Sequence, residues 1–435
     1  MSPNAKRRPS VDTPTLKVPT RARILVRGAC LVGAILLLLP VVPGASAPVV
    51  VPALSPFVAI AALLATRTFH AVALVGLAVG AVGLFRRRLF CRWVCPVGLC
   101  TDGAGRLGRR LGRRTVRGPK VGPWIVLLTF GGACLGYPLG LWLDPLAIFT
   151  GLFQLGPDGG VTFVLLAVIP FLSLLLLSLF WPNLWCTRIC PLGAFQDLLF
   201  AWCRVPGSVL RRRGSENQTR ETRRRLTRRT ALGMAIGAVV AWATGLVRGK
   251  TSRPLRPPGA IDESKFVGVC TRCGNCLRSC PSGIIKHDLG QGGWPSLWTP
   301  VLSFRDDYCR EGCTRCAEVC PSGALERFPR EGKARVRIGL AQVDMDVCLL
   351  AEDRECSACA RWCPYGAIRY VFSEAQYTLV VEVDPDKCTG CGACETACPT
   401  TPKKAIVVSP IATPPNAQLG SFGAQGQAKR RPILP

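Results

Sequence analysis

The sequence contains little histidine, since only His70 and His287 occur among its 435 residues. It also lacks the Cys-x2-Cys-His motif that attaches c-type haem. These two absences exclude c-type haem and haem held by two histidines. A redox site in this chain must therefore be built mainly from other side chains.

Acidic residues are scarce outside one region. Residues 259–408 contain 19 acidic and 18 basic side chains, whereas the rest of the chain contains 7 acidic and 37 basic ones. A net charge of +29 would ordinarily suggest nucleic-acid binding. The arginines, however, lie beside apolar runs without interleaved aromatic residues. We therefore predict no nucleic-acid partner.

A dinucleotide-binding unit is also missing. GAGRLG at residues 103–108 matches the pattern Gly-x-Gly-x-x-Gly. No predicted strand precedes it and no βαβ unit surrounds it, and the motif needs both to bind a dinucleotide. We therefore predict no NAD cofactor.

Four apolar runs dominate the first half of the chain. Each approaches the roughly 20 residues with which a helix crosses a bilayer, so we predict four spans. The connections 43–56 and 143–160 contain no Lys or Arg, whereas the loop 86–120 contains eleven basic residues. Because cytoplasmic loops retain positive charge, this loop is predicted to be cytoplasmic. The runs lie at about 24–42, 69–85, 122–142 and 161–181.

A fifth apolar stretch, residues 231–248, follows the basic sequence RRRLTRRTALG. This pattern indicates a twin-arginine (Tat) export signal retained as an anchor helix; an ordinary arginine-rich linker followed by an ordinary span is the alternative. Both interpretations predict a multi-pass protein of the bacterial inner membrane, with the C-terminal domain on the extracytoplasmic side.

Cysteine is abundant, with 24 residues, and sixteen of them form four groups of four. Two groups have the unmodified spacing Cys-x2-Cys-x2-Cys-x3-Cys-Pro, and the other two lengthen the first gap. In such motifs three thiolates bind one 4Fe-4S cluster, while the fourth ligates the neighbouring cluster. Zinc ribbons are the less favoured alternative, because four cysteines in eleven residues suit tetrahedral zinc poorly.

The crossover rule, applied to adjacent groups, predicts four 4Fe-4S clusters and assigns four ligands to each. The predicted sets are Cys270, Cys273, Cys276 and Cys320; Cys309, Cys313, Cys316 and Cys280; Cys348, Cys356, Cys359 and Cys398; and Cys388, Cys391, Cys394 and Cys363.

The apolar half contains an internal repeat, because LFCRWVCPVGLCTD and LWCTRICPLGAFQD align without gaps. Its two Cys-x3-Cys-Pro pairs could close one further cluster. Free structural thiols, or two incomplete clusters assisted by Cys100 and Cys203, stay open as alternatives. The equivalent pairs are Cys91 and Cys186, Cys95 and Cys190, and Asp102 and Asp197.

Together these patterns predict an α-helical membrane domain of four spans plus a fifth anchor helix. An α+β ferredoxin-like domain with two tandem two-cluster modules follows. The predicted domains are a disordered basic tail (1–22), the four-span domain (23–205), an arginine-rich cytoplasmic linker (206–230), the anchor helix (231–248), the ferredoxin-type domain (259–408) and a flexible tail (409–435).

Catalytic residues are not evident. Ionisable groups predicted near the outer membrane face are candidates for a quinol site, namely Arg67, His70, Asp144 and Asp158. A helix-terminal role for Asp144 and an interfacial role for Arg67 are equally ordinary explanations.

Residues 22–205 resemble NapH, the membrane subunit of periplasmic nitrate reductase systems, through CRWVCPVG and CTRICPLG. Residues 224–408 resemble its ferredoxin-type partner NapG through the four cysteine motifs. The pair is also similar to MauN and MauM. The resemblance implies a fused quinol dehydrogenase that takes electrons from the quinol pool and passes them to a soluble extracytoplasmic redox protein. An electron donor for maturation of a periplasmic enzyme, and a cytosolic donor acting at the Cys91 site, are the alternatives.

Overall fold

The computed structural model describes residues 20–39, 47–115, 118–154, 161–209, 216–248, 253–352, 354–374 and 377–411. These residues build two hydrophobic cores, one in the N-terminal helical part and one around the cysteine groups. Ala65 and Ala133 of the helical part contribute to the second core. The helical part and the cysteine-rich part are therefore packed directly against each other.

The helical part begins several of its helices with proline, which has no backbone N–H to leave unpaired at that position. The residues before these prolines are Ser55, Cys95, Asp144 and Cys190. The helices are α1 (Thr20–Leu38), α2 (Val50–Ala53), α3 (Pro56–Thr66), α4 (Ala73–Phe85), α5 (Leu89–Trp93), α6 (Pro96–Arg110), α7 (Gly122–Cys134), α8 (Pro145–Gly151), α9 (Val161–Phe180), α10 (Pro191–Val209) and α11 (Glu216–Arg248).

Glycines allow these helices to pack closely. A Cβ atom on Gly131 of α7 would lie 2.0 Å from the carbonyl oxygen of Met234 in α11. A Cβ atom on Gly237 of α11 would lie 2.3 Å from the carbonyl oxygen of Leu128 in α7. Larger residues at these positions would force the two backbones apart. At these two positions the backbones of α7 and α11 are therefore in direct contact.

The predicted membrane architecture is wrong. Within the ranges given above, no helix combines the length and the apolar composition of a membrane span. The second and third apolar runs form α4 and α7, of 13 residues each, which extend about 20 Å against ~30 Å of hydrocarbon. This finding overturns the four spans, the fifth anchor helix and the multi-pass localisation in the inner membrane.

The first and fourth runs form α1 and α9. The stretch predicted as an anchor is continuous with the arginine-rich sequence before it, because both belong to the 33-residue helix α11. The twin-arginine motif therefore occurs inside a helix.

The cysteine-rich part has a ferredoxin-like arrangement of short helices and two-stranded antiparallel sheets. Its sheets pair β1 with β2, β3 with β6, and β4 with β5. Its elements are α12 (Glu263–Val269), α13 (Asn275–Ser279), β1 (Ile285–His287), β2 (Pro300–Leu302), α14 (Arg315–Glu318), β3 (Leu340–Val343), α15 (Ala358–Arg361), β4 (Ile368–Ser373), β5 (Thr378–Val383), α16 (Ala393–Ala397) and β6 (Ile406–Ser409).

A buried arginine fixes the start of this part. Arg256 is 8% exposed and its guanidinium lies 4.7 Å from the ring centre of Phe266. It donates hydrogen bonds to Glu263 at 2.9 Å and to Thr299 at 2.8 Å. Through these two hydrogen bonds Arg256 holds α12 against the loop that precedes β2. The chain is therefore anchored just before the first cysteine group.

Removal of this cation should destabilise the protein strongly. We expect Arg256→Met to lower the free energy of unfolding by about 3–5 kcal/mol, because it leaves a carboxylate unpaired in a partly buried position. Arg369→Met is the matched control: Arg369 pairs with Glu382 at 2.9 Å on the surface, and such pairs contribute at most about 1 kcal/mol. Anaerobic urea unfolding measures both, and equal shifts would contradict the assignment.

Candidate iron–sulfur sites

Three of the four predicted ligand sets each line one small cavity. In each, three cysteines of one sequence group face the last cysteine of the neighbouring group. The lining cysteines are Cys270, Cys273, Cys276 and Cys320 in the first, Cys280, Cys309, Cys313 and Cys316 in the second, and Cys348, Cys356, Cys359 and Cys398 in the third.

The fourth predicted set is recognised by the electrostatic effect of its thiols on one another. Burial raises the pKa of Cys394, and the neighbouring thiols of Cys391, Cys388 and Cys363 raise it further. Cys363 belongs to the third sequence group, so this set also combines two groups. The thiols favour their neutral form until a cation compensates the thiolate charge.

The tight loops depend on backbone conformations that favour glycine. In the last group, Gly390 and Gly392 have φ angles of 71° and 87°. The equivalent positions in the first group are Arg272 and Gly274, with φ angles of 57° and 69°. A short helix then begins and positions the third cysteine of its group. These cysteines are Cys276 in α13, Cys316 in α14, Cys359 in α15 and Cys394 in α16.

The cavities suit a polynuclear cluster. In the described part of the chain, no three His, Cys, Asp or Glu side chains form a group that could hold a metal ion. Four thiols line each of the three cavities described above. Four thiols around a cavity fit the 4Fe-4S cofactor.

The repeat in the helical part brings its four cysteines together. Burial raises the pKa of Cys91 well above its ordinary value, and the thiols of Cys95, Cys190 and Cys186 raise it further. Burial likewise raises the pKa of Cys95 to about 12. Cys95 and Cys190 directly precede α6 and α10, so the repeat gives the two halves of this group the same local structure.

Two arginines flank this group of thiols in equivalent ways. Arg27 binds Asp102 at 2.7 Å, and its guanidinium lies beside the Gly98 position of the first repeat. Arg88 binds Asp197 at 2.6 Å and donates a hydrogen bond to the carbonyl oxygen of Cys186 at 3.0 Å. Each repeat therefore holds a cation close to its cysteine loop.

The quinol-site candidates have separate environments. Asp144 is fully buried, accepts a hydrogen bond from Ser55 at 2.7 Å and caps α8, and burial raises its pKa to about 6. His70 lies against Gly323, after Cys320. Arg67 is exposed at the end of α3, and Asp158 lies outside the described residues.

The first cysteine group contacts the helical part directly. Arg278 donates a hydrogen bond to the carbonyl oxygen of Leu38 at 2.7 Å, and Asn275 donates one to that of Pro48 at 3.1 Å. Gln154 bonds to His287 and to the carbonyl oxygen of Arg272. The sequence gives no signal for these contacts, because the partners are separated by more than 100 residues.

Family models match both parts of the chain. A model described as "4Fe-4S dicluster domain" matches residues 269–324 and 354–401. A second, described as "4Fe-4S binding domain", matches residues 68–114 and 163–206. The latter ranges include Cys91, Cys95, Cys186 and Cys190 of the internal repeat. No solved structure matches the chain.

Curated relatives match the cysteine-rich part. Ferredoxin-type protein NapG of Escherichia coli is 39% identical over 203 residues, covering 43% of this chain and 86% of the relative. Methylamine utilization ferredoxin-type protein MauM of Methylobacillus flagellatus is 35% identical over 189 residues, covering 40% and 76%. The resemblance to NapG and MauM is thus confirmed, whereas the fusion with a NapH-like part stays a prediction. The chain belongs to the family of 4Fe-4S ferredoxin-type electron-transfer proteins that includes NapG and MauM.

Proposed function

We propose that this chain is an electron relay in which the helical part receives electrons from a quinol and the cysteine-rich part delivers them to a soluble redox partner. A bound 4Fe-4S cluster supplies one-electron oxidation and reduction at a potential set by its surroundings. The observation that carries the proposal is the contact between the first cysteine group and the helical part, through Arg278 and Asn275.

Four clusters in residues 259–408 are part of this proposal. The cysteines of each set would hold one cluster, with the crossover between adjacent groups. Burial of these cysteines excludes water, since Cys270, Cys309, Cys348 and Cys388 are each less than 10% exposed. Water exclusion lowers the local dielectric constant and makes each potential sensitive to nearby charges.

A fifth cluster in the helical part completes the proposal. Cys91, Cys95, Cys186 and Cys190 would hold it, and the 4Fe-4S family match over their ranges supports this assignment. Arg27 and Arg88 would offset the negative charge of four thiolates. Because Asp102 and Asp197 fix the two guanidinium groups, their charges are already in position before the cofactor binds.

The donor and acceptor sides follow from the same contact. The end of helix α1 and the segment around Pro48 lie against the first cysteine group. The second module, residues 340–409, therefore offers the acceptor side. Quinol is proposed as donor because the helical part resembles a quinol dehydrogenase subunit.

Anaerobic reduction with a short-chain quinol tests this function. We expect the added quinol to produce the electron paramagnetic resonance (EPR) signals of reduced clusters in the purified full chain. Dithionite is the control reductant, since it should reduce the clusters whatever their natural donor. Signals that appear with dithionite but never with quinol would exclude quinol as the donor and leave the clusters established.

A further inference from the structure

A buried lysine lies beside the second ligand set. Lys333 is 2% exposed, and its Nζ atom donates a hydrogen bond to the Sγ atom of Cys309 at 3.3 Å. The ammonium group also lies 5.4 Å from the ring centre of Phe328. Lys333 belongs to a short 3-10 helix, Arg330–Arg335, which lies between the second and the third cysteine groups.

The surroundings of Lys333 do not compensate its charge in the usual way. Among the described residues, no carboxylate forms an ion pair with this ammonium group. An unpaired buried ammonium costs several kcal/mol of desolvation free energy in a protein interior, so a nearby anion is required. The anion that this geometry offers is a thiolate-ligated cluster at Cys309.

Lys333 is a cationic donor to a ligand sulfur, because its Nζ atom lies 3.3 Å from the Sγ atom of Cys309. Other sulfurs have uncharged partners: Cys320 and Cys363 accept hydrogen bonds from backbone N–H groups. The second set therefore differs from the sets that contain Cys320 and Cys363, because a buried ammonium group donates to one of its ligand sulfurs.

We propose that Lys333 sets the reduction potential of the cluster held by Cys280, Cys309, Cys313 and Cys316. Reduction adds one negative charge to a cluster, and a buried cation bonded to a ligand sulfur stabilises the reduced form more than the oxidised form. Lys333 thus raises this potential, so that an electron entering the first module resides preferentially at the second set. The inference rests on the proposed function, because it requires a cluster at this set.

An anaerobic EPR redox titration of Lys333→Met tests this role. We expect one midpoint potential to fall by at least about 59 mV, which is a tenfold smaller equilibrium constant for one-electron reduction. The other midpoints should move much less. Lys403→Met is the matched control, because Lys403 is exposed and paired with Asp344 at 2.6 Å, and all its midpoints should match those of the unsubstituted protein.

Two further variants separate charge from hydrogen bonding and from folding. Lys333→Arg keeps the charge and should restore most of the potential, whereas Lys333→Gln keeps a donor without charge and should resemble Lys333→Met. Unchanged midpoints in Lys333→Met and Lys333→Gln, with all irons retained, would overturn the role of Lys333. So would loss of the cluster in all three variants, which would make Lys333 a structural residue.

The iron content of the unsubstituted chain distinguishes this failure from failure of the proposed function. If that chain binds its irons and the Lys333 variants keep its potentials, the role of Lys333 alone is wrong. If the unsubstituted chain binds no cluster at the second set, the proposed function itself fails, and the inference fails with it.

Discussion

Cys280→Ser and Cys309→Ser are expected to alter the same cluster, although Cys280 belongs to the first sequence group and Cys309 to the second. The reason is geometric, since both residues line one cavity with Cys313 and Cys316. Each substitution should change the EPR spectrum of that cluster and remove up to about four of about sixteen irons in residues 259–408.

Cys320→Ser is the comparison for this prediction. Cys320 follows Cys309 in sequence but lines the cavity of Cys270, Cys273 and Cys276. Its substitution should therefore affect a different set of spectral lines. If Cys320→Ser and Cys309→Ser change the same EPR lines and Cys280→Ser changes different ones, the crossover is contradicted. Such spectra would favour clusters whose four ligands come from one sequence group.

Cys190→Ser is expected to remove the cluster of the helical part and to disconnect the donor from the other clusters. Cys190 is buried, and the neighbouring thiols of Cys186 and Cys95 raise its pKa beyond the effect of burial. Iron content should fall by about four. Dithionite should still reduce the clusters of residues 259–408, while the natural donor should reduce them at least about a hundredfold more slowly.

Cys203→Ser is the matched control in the same part of the chain. Cys203 is exposed in α10 and was one of the alternative ligands suggested by the sequence. Its substitution should leave both iron content and reduction unchanged. Iron loss in Cys203→Ser equal to that in Cys190→Ser would favour two incomplete clusters over a single shared one.

The grouping of the cysteines can be read from the sequence because their spacing is local. Each group supplies three ligands within a few residues, and positive φ angles at positions such as Gly274 and Gly392 follow from the tight turn that the spacing demands. The fourth ligand follows from a rule about adjacent groups. For three sets, spacing and this rule together indicate the cysteines that line one cavity, and all four sets stay predictions as cluster ligands.

The groups that surround these cysteines could not be predicted. Lys333 contacts Cys309 across 24 residues, and Arg27 contacts Asp102 across 75. Neither lysine nor arginine carries a local signal for such a contact, because both residues usually remain at the surface. The aligned repeat did indicate that Asp102 and Asp197 are equivalent, but it could not indicate which cation each would bind.

The prediction of membrane spans failed because two of the apolar runs in the sequence are longer than the helices that they form. In the second run, about 69–85, helix α4 begins only at residue 73, and in the third run, about 122–142, α7 ends before Gly136, whose φ angle is 85°. Short apolar helices can bury one another as well as face lipid, and hydropathy alone does not distinguish the two. The close contact of α7 with α11 at Gly131 illustrates the first case.

The central claim is that the two parts of this chain together hold five 4Fe-4S clusters. Anaerobic purification of the full chain followed by iron and acid-labile sulfide analysis, with EPR spectra of the dithionite-reduced protein, tests it most directly. About twenty irons and a similar amount of sulfide per chain, with spectra of several interacting clusters, is the predicted result. A chain that folds and binds zinc, or that binds no more than one cluster, would contradict the account.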